Sequence, residues 1–143
     1  MIEIICSLLI LLFAYAGVSK LAGHKDFQAQ LINLPLISYA APVLSYILPL
    51  LEILLSITLA MPSIRLYGLY ISLTMLVLFS MYLTGMVIFK TDLPCSCGGI
   101  IAGLSWKQHV LFNLFFIALS GVGIKQQREI VKYQNISLSS LLQ

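Results

Sequence analysis

Residues 66–89, LYGLYISLTMLVLFSMYLTGMVIF, form a stretch of 24 residues without a single charged side chain. A helix needs about 20 mostly apolar residues to cross the hydrocarbon core of a bilayer. The stretch meets that requirement without interruption, so it predicts a membrane-spanning helix from Leu66 to Phe89.

Three other stretches have the same character. The first, Ile4–Leu21, is uncharged until Lys20; the second, Pro42–Met61, carries one charge, Glu52; the last is Trp106–Ile124. The whole chain of 143 residues is 60% hydrophobic and 9% charged, with a mean hydropathy of +1.02, whereas a soluble domain is usually about 25% charged. We therefore predict an all-α integral membrane protein, a four-helix up-down bundle with both termini on one side.

The first connection contains a candidate for an additional short helix. In residues 24–42, HKDFQAQLINLPLISYAAP, Asp26 could cap a helix that places Phe27, Leu31 and Leu34 on one face. Such a helix would lie flat on the membrane surface. The alternative is a plain connecting loop.

Other signals define where the remaining spans begin and end. Pro62 and Ser63, followed by Arg65, predict a tight hairpin between the second and third spans. Ser105 begins an S-x-x-Q capping box, which predicts that the fourth span starts at Trp106. We divide the chain into a membrane domain, residues 1–124, and a short basic amphipathic tail, residues 125–143.

Two cysteines lie one residue apart in LPCSCGG (93–99), between the third and fourth spans. A disulfide between Cys95 and Cys97 would close a very small ring, which restricts its geometry. A bond of this kind is easily exchanged, and it constrains the unfolded chain too little to stabilise the fold appreciably. The positive end of the following helix would also favour thiolate. The pair is predicted to be the catalytic site of a thiol–disulfide exchange protein.

Two other interpretations of this pair stay open. The cysteines could form a static disulfide or remain idle thiols. A metal site would need more ligands, which His109 and His24 would have to supply, and zinc sites usually space their cysteines two to four residues apart. We assign no metal. The third cysteine, Cys6, lies on the order of 20 Å away at 1.5 Å per residue and is predicted to be a packing residue.

Three polar residues are predicted to lie within the bilayer and to support the cysteines. Glu52 is costly to bury in a membrane, so a functional role is the default hypothesis. His109 and Asn113 share one face of the fourth helix. We expect a polar track for proton transfer or for a small acceptor such as a quinone, although no motif identifies a cofactor. Alternatively, Glu52 and Asn113 hydrogen-bond to each other and fix helix packing.

The positive charges alone do not decide the orientation. One face carries Arg65, Lys125, Arg128 and Lys132, and the other carries Lys20, Lys25, Lys90 and Lys107. Lys20 and Lys90 are interpreted as anchors whose amines reach the interface, which favours cytoplasmic termini. Disulfide exchange belongs on the oxidising side, so the cysteine loop is predicted to be periplasmic.

The cysteine pair also predicts a partner. A thiol pair that turns over needs a second pair, and the first loop contains no cysteine, so we expect an extracytoplasmic thioredoxin-like protein. No basic run suggests binding to nucleic acid.

Three segments are similar to a known group of membrane proteins. AYAGVSKL (14–21) and LPLLEILLSITLA (48–60) resemble the DoxX-like proteins. PCSCGGIIAGLSWKQHVLFNLFFIALS (94–120) resembles the segment of the MauE family, the methylamine-utilisation branch, that joins the cysteines to the fourth helix. The resemblance covers about residues 4–124, and the cysteine segment is its specific part.

The resemblance implies a four-helix protein of the bacterial inner membrane that takes part in disulfide formation. It implies a thioredoxin-like partner, catalytic Cys95 and Cys97, and shared polar positions at Glu52, His109 and Asn113. The architecture also resembles vitamin K epoxide reductase, a quinone-linked thiol oxidase. Here, however, the cysteines are one residue apart and the first loop lacks shuttle cysteines. A non-enzymatic accessory subunit of a larger membrane complex and a metal-binding membrane protein remain the alternatives.

Overall fold

The computed structural model describes residues 1–32, 37–88 and 106–141. Its α-helices are α1 (Ile2–Ala22), α2 (His24–Ile32), α3 (Ala41–Ala60), α4 (Arg65–Ile88) and α5 (Trp106–Leu141), with a short 3-10 helix at Ser38–Ala40 before α3. All of them except α2 are long and apolar enough to cross a membrane, and the described ranges contain no strand. The predicted all-α architecture with four spans is confirmed.

The observed helices differ from the predicted spans mainly at the end of α5. We predicted that the fourth span ends near Ile124, but the helix continues to Leu141. Residues 125–141 contain neither glycine nor proline, so nothing in them breaks a helix. The predicted tail is therefore the C-terminal part of α5, and at 1.5 Å per residue it extends the helix by roughly 25 Å.

The short helix predicted in the first loop is present as α2, so the alternative of a plain loop is wrong. It begins at His24, which places Asp26 in its first turn and not at the predicted capping position. A carboxylate there still interacts favourably with the helix dipole. The helix packs against α3 and, less extensively, against α1. Leu34, predicted to share the apolar face of α2, lies outside the described residues.

The four spans form a closed square in chain order. The main contacts join α1 to α3, α3 to α4, α4 to α5, and α5 back to α1. At one end, Gly123 of α5 faces both Ile5 of α1 and Leu69 of α4: a Cβ on this glycine would lie 3.1 Å from a side-chain carbon of each. The start of α1, the start of α4 and the late part of α5 therefore meet at this end, which we call the hairpin end.

The opposite end of the bundle, the α2 end, holds the end of α1, the whole of α2, the end of α4 and the start of α5. The chain between α4 and α5, residues 89–105, connects two helix ends that both lie there. Both chain termini leave the bundle at the hairpin end, as predicted.

The interior of the bundle combines apolar and small polar side chains. Leu9, Leu59 and Leu69 are fully buried, and so is Cys6, which packs among them as predicted. The buried hydroxyls of Ser45 and Ser72 donate 2.8 Å hydrogen bonds to carbonyl oxygens of their own helices. Small hydroxyl side chains satisfied in this way let helices approach closely without leaving a polar group unpaired in lipid.

The predicted hairpin between α3 and α4 is confirmed, with a turn at residues 62–64. Arg65, the first residue of α4, donates from Nε to the carbonyl oxygen of Leu59 at 3.2 Å. Its guanidinium also donates to both carboxylate oxygens of Glu3, at 2.7 and 3.3 Å. Arg65 thus ties the hairpin to the first turn of α1.

Candidate functional site

A buried ion pair joins α1 to α3. The Nζ atom of Lys20 lies 2.5 Å from Oε1 of Glu52, and the two side chains are only 6% and 5% exposed. Glu52 lies in the middle of α3, roughly 16 Å from its first residue at 1.5 Å per residue. Charged groups at this depth are tolerated when they face the bundle interior and pair with each other. The intramembrane Glu52 found in the sequence is therefore neutralised by Lys20.

The sequence interpretation of Lys20 as an interfacial anchor is wrong, and the direction of α1 explains why. Helical side chains lean toward the N-terminus of their own helix. Since α1 starts at the hairpin end, Lys20 leans into the bundle and away from the nearer interface. Its spacing from Leu9, Phe13 and Gly17 also places it on the buried stripe of α1. That spacing was the sequence signal that could have identified it.

Two aromatic rings complete the surroundings of the ammonium group. The ring of Phe27 on α2 and the ring of Phe79 on α4 both have their centroids 5.8 Å from Lys20 Nζ. A cation at this distance is attracted to the electron-rich face of an aromatic ring. Lys20, Glu52, Phe27 and Phe79 thus join four helices, and we call this group the Lys20 centre.

Gly17 allows α1 and α3 to approach each other closely beside the Lys20–Glu52 pair. A Cβ at Gly17 would lie 2.8 Å from Cγ1 of Ile53 and 3.0 Å from the carbonyl oxygen of Pro49. Both distances are shorter than nearly all Cβ contacts in proteins, so a side chain here would require Ile53 and the backbone of α3 to shift. The absence of a side chain at Gly17 therefore sets the spacing at which Lys20 reaches Glu52.

The buried polar atoms that have no hydrogen-bond partner in the described part of the chain include one oxygen of the Lys20 centre. Within the described part of the chain, Oε2 of Glu52 is buried and has no hydrogen-bond partner. The same holds for Nε2 of His24, whose ring packs against Tyr46 with a centroid distance of 4.1 Å. Unpartnered buried polar atoms are rare and call for an explanation. An oxygen of this kind is available to a proton or to a hydrogen-bond donor on a ligand.

The other two predicted polar residues lie on α5. His109 is 9% exposed and Asn113 is 6% exposed, and they are one turn apart. Because α5 packs against α4 and α1, it lies diagonally across the bundle from α3. The hydrogen-bond partner of Glu52 is Lys20, so the alternative in which Glu52 bonds to Asn113 is wrong. A polar track that includes all three residues stays a prediction.

The predicted catalytic cysteines, Cys95 and Cys97, lie outside the described residues, as does Ser105. Their segment connects the end of α4 to the start of α5, both of which lie at the α2 end. Within the described ranges, no three histidine, cysteine, aspartate or glutamate side chains form a group that could hold a metal ion.

Comparison with known proteins identifies the family. No curated protein and no solved structure gives a significant match to the chain. Residues 1–126 match the family described as methylamine utilisation protein MauE. This match covers the first three spans, the cysteine segment and α5 as far as Gln126. The chain is a multi-pass membrane protein that belongs to the MauE family.

Proposed function

We propose that the chain is a membrane thiol–disulfide exchange protein that supports disulfide formation in exported proteins. In this proposal, Cys95 and Cys97 pass electrons between a thioredoxin-like extracytoplasmic partner and an acceptor in the membrane. Membership in the MauE family supports the coarser role of a membrane accessory protein in methylamine utilisation. The observation that carries the finer role is the buried Lys20 centre, which lies toward the same end of the bundle to which the cysteine segment is attached.

The exchange step proceeds through a mixed disulfide. A thiolate of the reduced partner attacks the bond between Cys95 and Cys97, one cysteine leaves as a thiolate, and the partner's second thiol resolves the mixed disulfide. The partner is oxidised by two electrons, and the cysteine pair gains them together with two protons. The reverse sequence would reduce the partner. For clients to become oxidised, the pair must then deliver two electrons and two protons to the membrane acceptor.

A quinone is the acceptor class we propose, because its reduction consumes two electrons and two protons. We assign to Glu52 the exchange of one of these protons, because its Oε2 atom is buried and has no partner within the described ranges. Lys20 holds the other carboxylate oxygen and keeps the side chain in one orientation. His109 and Asn113 would continue the track on α5.

The exchange role is tested by trapping the mixed disulfide. Cys95→Ser and Cys97→Ser, each combined with Cys6→Ala, leave one thiol in the cysteine segment and none elsewhere in the chain. Since the partner's second thiol would otherwise resolve the adduct, the thioredoxin-like protein in this experiment carries serine at its resolving cysteine. After mild oxidation, one of the single variants should then accumulate a disulfide-linked adduct with it, visible by non-reducing electrophoresis and released by reductant. The matched control, Cys6→Ala with both other cysteines replaced by serine, should form no adduct. An empty trap from both single variants would contradict the exchange role.

The proton role of Glu52 is tested by Glu52→Gln, which keeps an oxygen that can accept from Lys20. Reduction of the cysteine pair by its partner should be unchanged, while transfer onward to the membrane acceptor should slow by about 100-fold or more, as for loss of a general acid–base group. Glu3→Gln is the matched control, since this carboxylate lies at the hairpin end. Unchanged onward transfer in a folded Glu52→Gln protein would remove Glu52 from the mechanism.

Family membership favours one competing function, that of a non-enzymatic accessory subunit in a larger membrane complex. The double variant with serine at both Cys95 and Cys97 distinguishes the two. The exchange protein loses its pathway activity in this variant. An accessory subunit keeps it.

A further inference from the structure

A shallow groove of about 480 Å³ lies at the hairpin end, outside the Lys20 centre. One wall is Leu66 at the start of α4, and the other is the part of α5 beyond the bundle. The residues contributed by α5 are Arg128, Val131, Lys132, Asn135, Ile136 and Ser139. We call this the basic groove, because two of its polar lining residues are cations and none is an anion.

The depth of the basic groove places it among lipid headgroups. Trp106 to Lys125 measures roughly 28 Å at 1.5 Å per residue, close to the roughly 30 Å of a hydrocarbon core. Arg128 is five residues beyond Gly123, which contacts Ile5 and Leu69 inside the bundle. Arg128 and Lys132 therefore emerge about 5 to 11 Å past the apolar part of α5, in the headgroup layer.

The two cations of the basic groove are unneutralised. Within the described residues, the ion pairs are Lys20 with Glu52 and Arg65 with Glu3, so no carboxylate pairs with Arg128 or Lys132. Both side chains are exposed. Arg65, at the same end, differs because Glu3 already occupies its guanidinium. The groove thus offers two free cations above an apolar wall formed by Leu66.

We propose that the basic groove binds an anionic phospholipid. The phosphate would accept hydrogen bonds from Arg128 and Lys132, and the upper part of an acyl chain would pack against Leu66 and continue along the lipid-facing side of α4. Basic sites at the ends of membrane helices recognise lipid headgroups through this combination of charge and depth. The proposal does not depend on the thiol–disulfide role.

The test uses the full chain in nanodiscs that contain equal amounts of phosphatidylcholine and phosphatidylglycerol. Electron spin resonance of spin-labelled lipids gives the ratio of protein-bound phosphatidylglycerol to protein-bound phosphatidylcholine. Arg128→Gln and Lys132→Gln should each lower this ratio about five-fold, the effect expected for one cation at a membrane surface. Arg128→Lys keeps the charge and should retain most of the preference.

Lys25→Gln is the matched control, because it removes one exposed positive charge from α2 at the opposite end of the bundle. It should change the ratio less than two-fold. An equal loss in Lys25→Gln would mean diffuse attraction and would overturn the basic groove as a site. Equal binding of the two lipids by the unmodified chain, or displacement of bound phosphatidylglycerol by inorganic phosphate, would also overturn it.

Discussion

At the scale of single residues, the stability of the bundle depends on two charges that are tolerable only together. Lys20 and Glu52 are both removed from water, and each would be strongly unfavourable alone. The pair gains from its short contact and from the two phenylalanine rings around the ammonium group. A buried pair of this kind often adds little net stability compared with apolar side chains, although losing one partner is severe.

A double-mutant cycle on the ion pair should therefore be strongly non-additive. Lys20→Met or Glu52→Leu alone leaves one unpaired buried charge and should lower the free energy of unfolding by about 3 kcal/mol. The double variant leaves no charge and should regain most of that loss. Denaturant unfolding in detergent micelles measures all three, with Lys25→Met, an exposed lysine, as the control. Losses that simply add would contradict the account of a coupled pair.

The sequence identified Glu52 as an intramembrane charge but left Lys20 misassigned, and the difference has a physical reason. Glu52 could be identified because a carboxylate within an apolar span is unusual wherever it points. Lys20 could not be assigned from position alone, because a lysine near the end of a span can reach either the interface or the interior. The spacing of Lys20 from Leu9, Phe13 and Gly17 indicates the buried stripe of α1. The group that pairs with the ammonium there is presented by α3, which is a tertiary fact.

At the scale of helices, the hydropathy of the sequence was sufficient to predict the number of spans and most of the positions at which they begin and end. The composition of 66–89 and of the other three apolar stretches determines four helices, and Pro62 marks the hairpin correctly. Hydropathy could not mark the end of α5, since it measures where apolar character stops and not where helical hydrogen bonding stops. Residues 125–141 mix polar and apolar side chains and contain neither glycine nor proline, so apolar character declines while the helix continues through them.

The spacing between α1 and α3 should be sensitive to one methyl group. At Gly17 an added Cβ meets the backbone oxygen of Pro49 at 3.0 Å, so Gly17→Ala should push the helices apart and weaken the Lys20–Glu52 contact. Overpacking of this kind costs about 1–3 kcal/mol. Gly121→Ala is the matched control, because a Cβ there has no neighbour within 4 Å among the described residues.

The two glycine substitutions should have different effects on the thermal unfolding temperature. Alanine is a better helix former than glycine, so Gly121→Ala should leave the thermal unfolding temperature unchanged or raise it slightly. Gly17→Ala gains the same helix propensity and should nevertheless lower that temperature. Equal changes of the unfolding temperature in the two variants would show that a methyl group can be accommodated between α1 and α3 at Gly17.

At the scale of the whole molecule, the two ends of the bundle carry different chemistry. The α2 end has the cysteine segment attached to it and lies nearer to the Lys20 centre. The hairpin end has the Arg65–Glu3 pair and the C-terminal part of α5 with its free cations. A protein that exchanges disulfides in the periplasm must have its α2 end on the periplasmic side of the membrane. The hairpin end would then face the cytoplasmic leaflet, where basic residues are enriched.

Thiol labelling in intact cells tests this orientation directly. In a Cys6→Ala background, reduced Cys95 and Cys97 should react with a membrane-impermeant maleimide without permeabilisation. The opposite end is probed by Ser140→Cys, an exposed position outside the basic groove, in a chain that lacks all three native cysteines. Its thiol should react only after the membrane is permeabilised, because α5 carries it out of the bundle at the hairpin end. The reverse pattern would place the cysteine segment in the reducing cytosol, where a disulfide-forming role has no thermodynamic basis.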